Sequence, residues 1–299
     1  MKLIKPAYEI VPQGPGEEGI YKIIELVGRV CHKSEDKITK DSFKSFIKML
    51  ESKQHLSVFE HGTVYLKLEG ANLNPNNVDI PYGNCLITRY INNPYSKVVL
   101  KHKSAFEADV YITTNYRVLV DSGYISDLSL LCDPTEYHEK RVTVKFICDR
   151  GVSHEFVRHR VFSFVQESTR YCNYSKDKFG YEITFIIPSW LNIPETEYGT
   201  LHNPKEAQFK KYIDPIEGEF INHLVNAEFK YLYLLKLDLT PEKARQVLPN
   251  ALKTELVMTG FVSDWEHFFK LRCAEAAHPD ARALAIPLQK EFKGNGWIN

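Results

Sequence analysis

The 299 residues predict an α+β fold, a mixed or antiparallel sheet flanked by long helices, with no Rossmann domain. Three observations carry this reading. Segments with the two-residue alternation of strands crowd the first half of the chain, while helical periodicity dominates the last third. No GxxxxGK loop occurs, and no glycine-rich turn is expected to open a phosphate-binding βα unit. Hydrophobic residues make up 43% and charged residues 25%, which is ordinary for a chain that buries a substantial core.

In chain order, Pro6 to Lys53 reads as a short strand and then helical segments, with Ile23, Ile24, Val27 and Val30 on one apolar side. In HLSVFEHGTVYLKLE the second half alternates from Thr63 to Leu68 as a half-buried strand does. Gly70 to about Asn84, with its Asn-Pro-Asn-Asn run, reads as a loop. Segments 85–91 and 107–120 read as extended, and Arg141 to Cys148 as another strand. After Asp149 the pattern changes. Ser153 is positioned to cap a helix carrying HEFVRHRVF. Residues 172–202 are aromatic and proline-rich, and read as irregular apart from one strand, YEITFII. Three helices follow. The first runs from about Pro204 to Leu237, with Phe220, Leu224, Ala227, Tyr231 and Leu234 on one face. The second is capped by Thr240, starts with Pro241 and is interrupted at Pro249. The third contains DWEHFFKLRCAEAA, and a final helix starts near Asp280. No repeat or low-complexity segment divides the chain, which reads as a single domain over 1–299.

Charge narrows the function. Basic and acidic residues balance at 38 each, so no whole-chain field draws the protein to nucleic acid or to an anionic membrane, and any anion site must be local. The cysteines at 31, 85, 132, 148, 172 and 273 form no CxxC pair, which disfavours a zinc ribbon or a disulfide framework and suits a reducing cytoplasm. The opening MKLIKPAYEI lacks the apolar core of a signal peptide, and no apolar run is long enough to span a bilayer. The expectation is a soluble cytoplasmic protein. Histidines 55, 61, 154, 159, 267 and 278 lack HxxxH or HExxH spacing, so no metal site is expected.

The densest polar cluster is RHRVFSFVQESTRY, residues 158–171. Guanidinium groups offer paired donors that match phosphate, and hydroxyls complete such a cradle. Two readings compete, a solvated helix end balanced by Glu167 or a partly buried anion site. Interleaved Phe156, Val157, Val161, Phe162, Phe164 and Val165 require part of the segment to be buried, and buried arginines need anionic partners. Arg272 poses the same choice: helical spacing puts it with Trp265, Phe268 and Phe269, either snorkelling at a helix end or entering a site. Arg245, before VLP, is a weaker instance.

Arg158-His159-Arg160, seven residues, then Ser168 and Arg170-Tyr171, resembles the RHR-x7-S motif of the flavin-dependent thymidylate synthases. HLSVFEH (55–61), ARQVLP (244–249), DWEHFFKLR (264–272) with Ala277-His278 and, more weakly, GRVCHKS (28–34) resemble further segments of that family in the same order. These blocks cover about half of the chain. The resemblance implies that family's fold and an enzyme that reductively methylates dUMP to dTMP. Methylenetetrahydrofolate would donate the carbon, and FAD reduced by NADPH the hydride. It further implies a homotetramer with shared active sites.

By position, the resemblance assigns His55, Ser57, Arg158, His159, Arg160, Phe261, Ser263 and His267 to FAD. It assigns Glu155, Arg158, Gln166, Glu167, Ser168, Thr169, Arg170, Arg245 and Arg272 to dUMP. Arg272 and Ser168 take the catalytic roles, Arg272 facing the uracil ring. The chain departs from the family at Glu155, Gln166, Phe261 and Ser263, and by its long interval between His61 and Arg158, in which residues of about 70–140 read as an insertion. Two alternatives remain open at this point. A nucleotide- or RNA-binding protein would hold no flavin, and a flavoprotein with another acceptor would not convert dUMP.

Overall fold

The computed structural model describes residues 1–73, 82–197 and 214–299. Strands β1 (Lys2–Ile4) and β2 (Ala7–Val11) open the chain and enter different sheets. Helices α1 (Gly16–Val30) and α2 (Ser42–Ser52) follow, then β3 (Thr63–Asn72), α3 (Tyr82–Ile91), β4 (Lys97–Ser104), β5 (Glu107–Asn115) and α4 (Tyr116–Ser122). The motif region comprises β6 (Arg141–Asp149), α5 (Arg150–Phe156) and β7 (Ser163–Gln166). Beyond it come β8 (Thr184–Ile186), β9 (Thr196–Glu197), α6 (Pro215–Lys236), α7 (Pro241–Ala244), β10 (Lys253–Phe261), α8 (Val262–Arg272) and α9 (Pro279–Gly294).

The sheet that positions the site is antiparallel, in the order β2-β6-β10-β7. Its register sets Arg141 opposite Phe261 at one end, and Asp149 opposite Lys253 at the other. One face, through Val142, Val144, Phe146, Leu256 and Met258, packs on Trp265, Phe268 and Phe269 of α8 and on Leu284, Leu288 and Phe292 of α9. Each such side chain contributes about 1.5–3 kcal/mol when fully buried. The other face carries Val11, Val165 and Val257 against Ile23, Val27 and Val30 of α1. A second antiparallel sheet, β3-β5-β4, builds its own core with α1, α2, α3 and α4. A small mixed sheet, β8-β1-β9, packs with α6.

The architecture is α+β, but strands do not all precede helices. The sequence reading placed only helices after 204, whereas β10 is an inner strand of the main sheet. KTELVMTGF is buried on both faces from Thr254 onward, so it shows no alternation, and periodicity cannot separate such a run from a helix. Residues 85–91, expected to be extended, lie in α3. Leu86 and Tyr90, four apart, are fully buried, and Tyr90 and Arg89 both donate to the Asp127 carboxylate. The expected strand 107–120 breaks at Asn115, whose side chain accepts from the Val118 amide and starts α4; Gly123 in the left-handed region ends it. Likewise β3 continues to Asn72, beyond the expected start of the loop; 74–81 and the expected helical turns 204–213 lie outside the described residues. The described part of that helix begins at Asp214, which caps it ahead of Pro215.

Candidate active site

The cap of α5 is Asp149, which accepts from the Val152 amide at 2.8 Å, and not Ser153 as expected. Ser153 lies within the helix and donates its hydroxyl to the Arg150 carbonyl. The helix also stops at Phe156, earlier than the sequence suggested. Three-residue turns follow, with His159 N–H donating to the Phe156 carbonyl and Phe162 N–H to the His159 carbonyl. That spacing sends Phe156, His159 and Phe162 inward and leaves Arg158 and Arg160 exposed.

Arg272, at the end of α8, meets this turn with all three nitrogens. Nε donates to His159 Nε2 at 2.9 Å, Nη1 to the Glu155 carboxylate at 2.5 Å, and Nη2 to the Glu155 carbonyl at 2.6 Å. His159 therefore accepts at Nε2, which leaves the proton of its neutral ring on Nδ1. Burial first, then the Arg272 and His267 charges, hold it down at about 4, so it is neutral near pH 7. Its ring lies 5.0 Å from Phe268 and 6.3 Å from His267. A cavity of about 280 Å³ opens beside Glu155, with Trp190, Asn250 and His278 in its wall.

The second half of the motif runs along β7 and into a loop. Gln166 donates to Ser153 of α5 at 2.8 Å and to Thr254 of β10 at 3.1 Å. Glu167 is buried, accepting from Tyr174 and from Lys253. Lys253 also binds Glu255, which in turn accepts from Lys33; these two lysines hold the Glu255 carboxyl down at about 2 despite its burial. The Ser168 amide donates to the Cys31 carbonyl at 2.9 Å, tying the loop to the end of α1. Thr169 accepts from Arg245 at 2.9 Å, and Arg170 stands exposed with Glu242 3.7 Å away. Tyr171 lies over His32 at 4.6 Å, and His55 is among the charges that press on His32.

Most of the expected residues thus form two groups. Glu155, His159, His267 and Arg272 make one; Glu167, Ser168, Thr169, Arg170 and Arg245, with His55 nearby, make the other, and Gln166 bridges toward α5. Ser57 is exposed on the short turn Leu56–His61. Phe261 and Ser263 stand apart within the chain, at the N-terminal end of α8. Arg272 ends the same helix, roughly 15 Å away at 1.5 Å per residue. Phe261 is buried beneath Lys97 and Arg141, and Ser263 donates to Glu139. Lys33, Lys253, Glu255 and Tyr174 were not foreseen. The alternation of Lys253 and Glu255 on one strand face was the available signal, in a segment between Pro249 and Asp264 that was given no strand.

Ser168 Oγ accepts from the Arg170 amide at 3.3 Å, and among the described residues no histidine bonds it. Burial, then Glu167, pushes the Cys172 thiol up to about 12, which makes it a poor nucleophile. The Arg158 and Arg160 guanidinium groups have no ion-pair partner among the described residues and are exposed, a fit for the phosphates of a nucleotide cofactor. Among the described residues no cluster of three or more His, Cys, Asp or Glu could hold a metal, and no helix is long and apolar enough to cross a membrane.

The family model described as thymidylate synthase complementing protein matches residues 134–295, more than half of the chain. The flavin-dependent thymidylate synthase of Geobacter sulfurreducens is 30% identical over 145 residues, 48% of this chain and 53% of its own. That of Corynebacterium efficiens is 32% identical over 151 residues, 48% and 54%. The Pyrococcus furiosus protein of the same name is 31% identical over 147 residues, 48% and 51%. The chain spans about half the length of the curated relatives it matches. Among solved structures, the UMP/dUMP methylase PolB of Streptomyces cacaoi bound with 5-Br dUMP aligns over 98% of this chain and 93% of its own. Its identity is 16% and its TM-score 0.42.

Proposed function

The chain belongs to the thymidylate synthase complementing protein family, and on that premise we propose that it is a flavin-dependent thymidylate synthase. It methylates dUMP reductively to dTMP, with methylenetetrahydrofolate as carbon donor and NADPH-reduced FAD as hydride donor. The observation that carries this reading is the fork of Arg272 on Glu155 and His159. It joins the histidine of the arginine motif to a guanidinium 113 residues later.

FAD supplies the redox chemistry when bound, and the protein supplies binding, orientation and charge. Arg158 and Arg160 would hold its phosphates, with His55, Ser57 and His267 as further contacts. Arg272 keeps one N–H on each terminal nitrogen free after its three bonds. Those donors would meet the negative charge that develops on the uracil oxygens as C5 becomes nucleophilic, in an orientation fixed before substrate arrives. Glu155 sets that orientation and limits the net charge. Thr169, Arg170 and Arg245 would receive the nucleotide phosphate, and Ser168, locked to Cys31, would donate a hydrogen bond to it.

We read the chain as one catalytic domain, with residues of about 70–140 as an insertion that adds peripheral packing. The start of the family match at residue 134 supports that division. The separation of Phe261 and Ser263 from Arg272 is a reason to propose a homotetramer whose sites combine residues of several subunits; its proposed location is the cytoplasm. The test is the visible absorption spectrum of the purified protein, followed anaerobically with NADPH and dUMP. A flavin spectrum that bleaches faster with dUMP supports the proposal; a protein that is colourless and takes up no added FAD overturns it.

A further inference from the structure

A cavity of about 350 Å³ lies apart from the Arg272 and Arg245 groups, between α1, the start of β6 and the start of β3. Its wall includes Gln13, Gly14, Thr63, Arg141, Thr143 and Trp297. Arg141 is 9% exposed. Nη1 donates to Thr63 Oγ1 at 3.3 Å and Nη2 to the Glu60 carbonyl at 3.1 Å, but Nε has no partner, and no carboxylate pairs with the group among the described residues. Glu60, the nearest acid along the chain, is engaged by Arg117 at 2.5 Å. A buried cation without an anion costs several kcal/mol, and burial presses the Arg141 pKa down to about 10.

The 15-residue helix α1 begins at the same cavity. Its N-cap is Pro15, which offers no side-chain cap, and the wall there is formed by the small residues Gly14 and Gly16. The acids of its first turn are engaged elsewhere, Glu17 by Tyr21 and Glu18 by Lys22. Lys140 lies over the Trp297 ring at 4.0 Å, and the exposed Asp133 is the acid in the wall. Ile10, Val11, Ile20 and Val142 make the remaining wall apolar. The volume falls within the range of small-molecule sites.

We propose that this cavity binds a small organic acid whose carboxylate pairs with Arg141 and the N-terminus of α1, and whose apolar body lies against Ile20, Val142 and Trp297. One N–H on each terminal nitrogen remains for it after the bonds to Thr63 and Glu60, a pair that suits a planar oxyanion. The site is separate from the groups around Arg272 and around Arg245, and although Arg141 lies over Phe261, the inference makes no use of that residue's assignment to flavin.

The experiment titrates the full-length protein, with whatever flavin it retains, with benzoate, inorganic phosphate and the uncharged benzyl alcohol, following tryptophan fluorescence and melting temperature. Saturable quenching and stabilisation by millimolar benzoate, with no response to benzyl alcohol, is expected. Binding should weaken at least tenfold in Arg141→Met. Should that variant not fold, Cys132→Phe fills the cavity from a partly exposed wall position, retains the charge and should abolish the response. An equal response to benzyl alcohol overturns the role of the charge, and a response to phosphate alone overturns the apolar body. Release of flavin on adding benzoate overturns the separateness of the site, and silence toward all three probes overturns the site itself.

Discussion

Arg272 grips Glu155 twice, through the carboxylate at 2.5 Å and through the backbone carbonyl at 2.6 Å. The carbonyl contact fixes where the guanidinium sits, and the carboxylate contact fixes its plane. With the third bond to His159, the end of α8 is locked onto the turn that carries the arginine motif. A lysine, with its point charge, cannot reproduce that geometry.

Both Arg272→Ala and Arg272→Lys should therefore retain flavin while dTMP formation falls by roughly 10²–10³, the scale seen when one preorganised donor is removed. Turnover assays beside absorption spectra check this. Near-normal turnover in Arg272→Lys would remove the fork from the mechanism.

Substitution of Lys253 should act on stability first. It neutralises Glu167 and Glu255, whose side chains are 2% and 9% exposed. Lys253→Met should cost about 3 kcal/mol, since it leaves the buried Glu167 carboxylate without a cation while Glu255 keeps Lys33. Adding Glu167→Gln should recover part of the loss. Denaturant unfolding of the single and double variants measures the coupling, and additive losses would show that the two groups act independently.

Thr169→Val removes the acceptor that holds Arg245. The apparent affinity for dUMP should drop about tenfold, or about 1.4 kcal/mol, with turnover at saturation and the melting temperature nearly unchanged. Steady-state kinetics separates this from a loss of turnover, which would assign the pair to chemistry.

The pH dependence follows from His159, held down at about 4 against an ordinary 6.5. Between those values the unfolded chain binds a proton that the folded chain refuses, so stability rises with pH through this window and is complete above about 6.5. As pH falls toward 4 the protein loses on the order of 3 kcal/mol from this group. His61, held at about 3 by burial and then by Arg141, adds to the same trend. The difference in unfolding free energy between the wild type and His159→Asn, measured from pH 7 to pH 4, should narrow toward the acid end; a constant difference would refute the assignment.

Gly260 sits in β10, where an added Cβ would come within 2.6 Å of the Phe162 ring, itself wedged against Trp265 at 4.7 Å. Gly260→Ala should cost about 1–3 kcal/mol by overpacking and displace His159 through Phe162. A melting temperature equal to wild type would mean that the ring yields freely.

The sequence by itself determined the α+β class, the helical N-terminal region, the strand over Arg141–Cys148 and the pairing of Arg158–Tyr171 with Arg272 as the chemistry to examine. The first three rest on local patterns of periodicity and turn residues; the pairing with Arg272 rests on the resemblance of RHR-x7-S and DWEHFFKLR to the family's segments. Tertiary structure alone decided the rest. Whether KTELVMTGF is a strand depends on partners on both of its sides, because a segment buried on two faces carries no alternation. Whether CLITRYI is a helix depends on where Leu86 and Tyr90 find a core. In the Lys33–Glu255–Lys253–Glu167 chain the first link alone joins residues 222 apart, and no local pattern encodes which distant charges meet. The unpaired Arg141 is a property of the packed interior alone: in the unfolded chain water solvates its charge, and only folding removes that water without supplying an anion.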